Sequence, residues 1–220
     1  MTDSDKTEDE FVQFVCFKTA GPVPVDLFQH SWIPAAEGLF TRGINTVIFS
    51  EKLPLSGDLG PYKFIAKNCW ASIKAIKGTF PTGVPSPCSR GHITVSQGGI
   101  FKLVHVAKGD GTKLKHNSVY KGGFKALTMM PLLDEPLSKD TVMTYADYLI
   151  SLTGFETLGV YKLHNSSGPA SEWLYEWIIE AFFNSVNATE ESVLKDLMNC
   201  PMATKKWEIS IHKDYMQMVG

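Results

Sequence analysis

Three histidines stand where they could move protons: His30, His105 and His212. An imidazole titrates near neutrality, which suits it to acid–base work. His212 sits in "EISIHKDYM". The two-residue alternation of a strand puts Glu208, Ser210, His212 and Asp214 on one face. That face is either a solvated surface or a polar pocket wall carrying an acid–base pair. His105 ends the strand-like run "HITVSQGGIFKLVHV". His30 lies two residues before Trp32, so the two cannot share a helix face, whereas Phe28 and Trp32 at i, i+4 can. The aromatic pair is then the inward stripe. It is either plain core with His30 in solvent, or a stripe in which Trp32 lines a pocket with His30 at its mouth. His164 ends "VYKLH" and is a rim candidate.

Other groups could hold a substrate. Tyr62, Asn68 and Trp70 flank the run "PYKFIAKNC" and could hydrogen-bond a phenolate or enolate as charge develops. Trp173, Tyr175 and Trp177 are the densest aromatic cluster. Read as a strand, 172–183 sets them opposite Glu172, Glu176 and Glu180. Read as a helix, it lines the glutamates up at i, i+4. The glutamates are a solvated line or, if buried, carboxyls whose pKa is raised. Tyr145 and Tyr148 are three apart on a helix face, with Tyr148 expected in the core beside Leu149 and Leu152. No GxGxxG, P-loop, GxSxG or HExxH pattern occurs, so no nucleotide, flavin or metal is expected and no cofactor is assigned.

These residues need elements to hold them. Residues 1–10 read as a disordered tail. "EFVQFVCFK" reads as a buried strand, and Asp26 as the cap of a helix over 27–40. Gly43 admits the strand "INTVIFSEKL", then come the strand "PYKFIAKNC", the helix "WASIKAIKGTF" and the strand ending at His105. The Gly- and Lys-rich 107–122 is a connection. The order then repeats: strand "GFKALTMMPLL", a helix capped by Ser138 and ended by Gly154, strand "FETLGVYKLHN", the 172–183 segment, helix "ATEESVLKDLMNC" and strand "KWEISIHKDYMQMV". This predicts an α+β fold of two tandem ferredoxin-like β-α-β-β-α-β repeats, 11–106 and 123–220.

The 220 residues are 44% hydrophobic and 20% charged, enough to bury a core rather than stay disordered. Net charge is -2 and Arg42 and Arg90 are the sole arginines, which argues against nucleic acid. Cys16, Cys69, Cys88 and Cys200 form no CxxC pair and read as free thiols of a reducing compartment. There is no signal peptide and no apolar run of membrane-spanning length, so a cytoplasmic protein off the membrane is expected.

Phe28, Trp32, Pro34 and Gly43, followed by a strand, are similar to the first helix of EthD-type members of the dimeric α/β-barrel superfamily. The helix in "NCWASIKAIKGTF" resembles that superfamily's second helix. The family's histidine before the proline is here Ile33, with His30 three residues upstream. The resemblance implies that the two repeats close one barrel within the chain, removing sheet edges. It further implies a pocket between sheet and helices in each repeat and a small aromatic or polyketide-like substrate. Some relatives bind haem through a histidine. The leading function is cofactor-independent cyclisation or dehydration, of lyase or isomerase type, of a polyketide- or terpenoid-like molecule of secondary metabolism. The alternatives are a cofactor-free monooxygenase on a phenolic substrate and a non-catalytic small-molecule binding protein. A monomer or homodimer is expected. Candidate catalytic residues are His30, His212 and His105. Candidate substrate-binding residues are Trp32, Phe28, Tyr62, Asn68, Trp70, Tyr175 and Trp177.

Overall fold

The computed structural model describes residues 11–19, 21, 26, 30, 33, 37–57, 60–79, 93–110, 118–133, 135–164 and 175–220. Eight strands run in chain order: β1 Phe11–Thr19, β2 Ile44–Lys52, β3 Phe64–Trp70, β4 Ile93–Lys108, β5 Gly123–Pro131, β6 Phe155–Leu163, β7 Tyr175–Asn184 and β8 Glu208–Val219. Three helices are α1 Ile73–Thr79, α2 Lys139–Ile150 and α3 Glu190–Met198. Residues 26, 30, 33 and 37–40 are also helical. Asp26 is thus already inside a helical stretch rather than its cap.

All ladders are antiparallel. The strands close a barrel in the order β1-β3-β2-β8-β5-β7-β6-β4. The first half reads β4-β1-β3-β2 and the second β8-β5-β7-β6, so each half has its fourth, first, third and second strands side by side. The seams between the halves are β2–β8 and β4–β6. Closure leaves no unpaired edge.

Alternation sorts the side chains into three layers. Val12, Phe14, Cys16, Ile65, Cys69, Leu127, Met129, Tyr161 and Ile178 fill the lumen. Val15, Phe17, Val47, Phe49, Phe64, Ala66 and Trp70 face outward from the first half, with Leu39, Phe40 and Ile73 packed on them. Phe124, Ala126, Met130, Leu158, Val160, Trp177, Ile179 and Phe183 face outward from the second half, under α2 and α3.

Local chemistry sets the helix limits. Ser138 caps α2 by accepting from the Thr141 N–H at 3.1 Å, and Thr189 with Ser192 forms a reciprocal capping box at α3. Gly154, at φ 80, turns the chain from α2 into β6 where a side chain would be strained. Gly43, at φ 100, does the same before β2, and a Cβ there would lie 2.9 Å from that of Ala75.

The segment read as either strand or helix is strand β7, with 172–174 outside the described residues. Its glutamates are not a solvated line: Glu180 is fully buried and Glu176 nearly so. Nor do Tyr175 and Trp177 share a face. The β5–β7 register shifts between Met130 and Pro131, and this irregularity sends Tyr175 to the lumen cluster and Trp177 to the helix side. Trp70 belongs to β3, not to the helix that follows. Tyr145, rather than Tyr148, is the fully buried tyrosine of α2; Tyr148 donates to the Asp196 carbonyl at 2.9 Å.

Candidate functional site

The lumen holds a chain of charges that alternation placed there and sequence distance concealed. Glu180 bridges Lys67 at 2.5 Å through Oε2 and Lys125 at 2.8 Å through Oε1. Lys125 reaches Asp214 Oδ1 at 3.0 Å, and Ser50 donates to that same oxygen at 2.7 Å. Tyr161 donates to Glu180 Oε2 at 3.3 Å. Burial opposes the Glu180 charge, but Lys125 and Lys67 outweigh it and hold the carboxyl at about 2. Burial likewise opposes the Lys125 charge, and Asp214 and Glu180 outweigh it, so its pKa is raised. Glu180 is therefore a fixed anion, not the raised-pKa acid that a buried carboxyl suggests. Lys67 and Ser50 come from the first half, while Glu180, Lys125 and Asp214 come from the second, so the chain crosses the barrel.

Glu208, Ser210, His212 and Asp214 share one face, as the alternation predicts, and that face lines the lumen rather than solvent. His212 is fully buried, with Nε2 at 2.9 Å from Ser210 Oγ and Nδ1 unpartnered. Burial, then the charges of Lys125 and Lys52, push its pKa well below 6.5, so the ring is neutral. Towards one barrel mouth Tyr175 donates to Glu208, and Tyr62 lies 3.4 Å from Tyr175. Burial raises Glu208 even though the Tyr175 hydrogen bond opposes it. Burial also pushes the Cys16 thiol up, leaving it inert.

A second polar cluster lies outside the lumen, on the helix-facing side of the first half. Gln13 and Asn68 are opposite each other across β1 and β3. Asn68 Nδ2 donates to Gln13 Oε1 at 2.9 Å, and Trp70 Nε1 donates to the same oxygen at 3.4 Å. An indole N–H only donates, so Trp70 identifies that Gln13 atom as oxygen. The Asn68 atom facing it is then the amide nitrogen. This leaves Asn68 Oδ1 buried without a partner. All three residues are at most 2% exposed. An acceptor buried and unpaired costs about 1–3 kcal/mol, which makes this atom the clearest opening for a ligand's donor. Asn68 also faces Val47 across β2, and Gln13 faces Ile100 across β4, so the surround is apolar.

The sequence candidates thus separate. Asn68 and Trp70 meet through Gln13, which sequence reading missed; its place opposite Asn68 in the register was the one signal available. Tyr62, Tyr175 and His212 meet the lumen instead. Trp177 is in the second-half core with its indole N–H unpartnered. His105 is half-buried on β4 opposite Val160. His30 is helical and exposed. Phe28 and Trp32 lie outside the described residues, as does Trp173. His164 packs edge-on against Phe11 at 5.3 Å.

The sequence matches no family model and no curated protein. Solved structures do match in shape. An anthrone oxidase-like protein aligns with TM-score 0.63 at 9% identity, over 97% of this chain and 94% of that one. A candidate monooxygenase from Fusobacterium nucleatum aligns with TM-score 0.51 at 8% identity, over 95% and 94%. A chlorite dismutase variant from Candidatus Nitrospira defluvii, in complex with cyanide, aligns with TM-score 0.50 at 10% identity, over 98% and 96%. The fold is that of the dimeric α/β barrels. In this α/β barrel both four-stranded sheets come from one chain. No helix among the described residues is long and apolar enough to cross a membrane.

Proposed function

We propose that this chain is an enzyme that oxygenates a hydrophobic, phenolic, polyketide-like molecule without a redox cofactor, on the helix-facing side of its first half. The observation that carries the reading is the unpaired Asn68 Oδ1, fixed in direction by Gln13 and Trp70. It asks for a hydrogen-bond donor in an apolar surround, and a phenolic or enolic hydroxyl supplies both. The likeness in shape to an anthrone oxidase-like protein and a candidate monooxygenase favours oxygenation. The substrate gives up one C–H proton to water, and the resulting carbanion reduces O2. A CH2 loses two hydrogens and gains one oxygen as C=O, and the second oxygen leaves with those hydrogens as water. Asn68 orients the substrate for that step.

Cyclisation or dehydration, the leading sequence expectation, needs a proton donor at the site. The described polar groups on this layer include amides, an indole, the Tyr215 phenol and the Glu51 carboxylate; the amides and indole suit charge stabilisation better than proton transfer, and Glu51 is paired with Lys63. His30, helical and exposed, is the residue we assign to that second reading. We assign Phe28 and Trp32 to the same pocket. A tandem ferredoxin-like duplication, with repeats at 11–106 and 123–220, accounts for the equal strand orders of the halves. The EthD-type resemblance and a cytoplasmic location are part of the same proposal; free, buried Cys16 and Cys200 fit a reducing compartment.

Oxygen uptake with 1,8-dihydroxyanthrone, measured against the rate without protein, tests this. One O2 consumed per ketone formed supports oxygenation, and loss of the rate in Asn68→Leu locates it. Turnover under argon would move the assignment to cyclisation or dehydration, and ligand binding without turnover to a binding protein.

A further inference from the structure

We infer that Tyr215, from the last strand of the second half, supplies a hydrogen-bond donor to the first-half site, so that the ligand carries a carbonyl as well as a hydroxyl. This rests on the reading of Asn68 above. The β2–β8 register shifts between Phe49 and Ser50, whose partners are Met216 and Asp214, so Tyr215 is the extra residue of a bulge. Asp214 before it turns into the lumen to meet Lys125 and Ser50. Tyr215 turns the other way and stacks on Phe49, with ring centroids 6.2 Å apart and planes 24° apart. Phe49 belongs to the same helix-facing layer as Val47, which neighbours Asn68. Bulges re-aim side chains in this manner beside functional sites.

The Tyr215 hydroxyl is buried and has no hydrogen-bond partner. Burial, with the Glu51 charge nearby, pushes its pKa up, so it stays a neutral phenol able to donate. The layer therefore carries one orphan acceptor, on β3, and one orphan donor, on β8. β2 lies between those strands, and Tyr215 sits three residues along β8 from Met218, which is level with Asn68 through Val47, so the two are roughly 10 Å apart across the sheet and about 7–10 Å along it. The two groups stand on one side-chain layer, with Val47 and Phe49 on the strand between them, and the inferred ligand lies across that layer. Its hydroxyl donates to Asn68 and its carbonyl accepts from Tyr215. Loss of a proton conjugated to that carbonyl turns its oxygen into an enolate oxygen, which Tyr215 then stabilises.

Three probes separate the two contacts: 6-hydroxy-1-tetralone carries both groups, 1-tetralone only the carbonyl, and 5,6,7,8-tetrahydro-2-naphthol only the hydroxyl. Calorimetric titration of the full chain should find the first bound most tightly. Tyr215→Phe should weaken both ketones by roughly three- to tenfold and leave the naphthol unchanged, at an unaltered melting temperature. Asn68→Leu should weaken the two hydroxyl compounds and spare 1-tetralone. Equal affinities of wild type and Tyr215→Phe for all three probes, with Asn68→Leu still selective, would overturn the Tyr215 contact and leave the Asn68 site standing. If wild type binds none of them, the site itself is refuted and Tyr215 with it.

Discussion

The helix-facing sides of the two half-barrels are built to the same plan and finished differently. Counting from the start of the first strand of each half, the outward pairs are Phe11–Trp70 and Gln13–Asn68 in one, and Phe124–Phe183 and Ala126–Ala181 in the other. Where the first half sets two carboxamides, the second sets two alanines. Where the first leaves the Asn68 Oδ1 acceptor unpaired, the second leaves the Trp177 indole donor unpaired and sets Thr128 and the Tyr145 hydroxyl 2.9 Å apart. Val142, Tyr145, Leu149, Val193, Leu194 and Leu197 of α2 and α3 bury themselves on that surface, each worth about 1.5–3 kcal/mol for a large apolar side chain. Each face keeps one unmet group: in the first an acceptor held in place by Gln13 and Trp70, in the second a donor on a packed apolar surface. We place the working site in the first half on that contrast.

The largest expected effect lies in the lumen that both faces back onto. Glu180→Gln leaves Lys67 and Lys125 short of their shared counter-charge inside the barrel. A loss of about 3–5 kcal/mol in urea unfolding is expected, and a change near zero would mean the lumen charges do not join the halves. Next comes the transplant of polarity. Ala181→Asn puts an amide into the packed face and should cost about 1–3 kcal/mol. Asn68→Leu, which removes an orphan, should stay within about 1 kcal/mol of wild type. Equal costs would erase the contrast between the faces. A smaller effect is expected from Tyr145→Phe, about 0.5–1.5 kcal/mol with oxygen uptake intact.

The pH dependence is the most gradual test. A histidine whose folded pKa lies below 6.5 takes up protons more readily when unfolded, so stability should decline as pH falls from about 6.5. The Glu180 carboxylate, held at about 2 against an ordinary 4.5, adds stability that is full above 4.5 and disappears as pH falls towards 2. His212→Asn should flatten the first part of the acid slope in thermal melts and leave the second. An unchanged slope would show that His212 is not the group responsible.

The strands and α2 and α3 were legible because local signals agreed: apolar runs between Gly43, Gly123 and Gly154, the cap at Ser138, and the amphipathic pattern of α3. That Glu208, Ser210, His212 and Asp214 share one face was legible from alternation; that this face is the lumen was not. What failed was anything set by strand partners far away in sequence. Lys67 and Glu180 are 113 residues apart and meet because β3 and β7 face one another across a closed barrel. Gln13 and Asn68 are 55 apart and meet through register. Irregular registers defeat alternation locally, which is why Tyr175 and Trp177 part company and why Tyr215 escaped notice.

The most direct test of the first-half site is to measure unfolding free energy and oxygen uptake on the same preparation of Asn68→Leu. The expected result is a stability within about 1 kcal/mol of wild type together with loss of substrate-dependent uptake. Full uptake in that variant would contradict the site, and uptake lost only in step with stability would reduce Asn68 to a residue of the core.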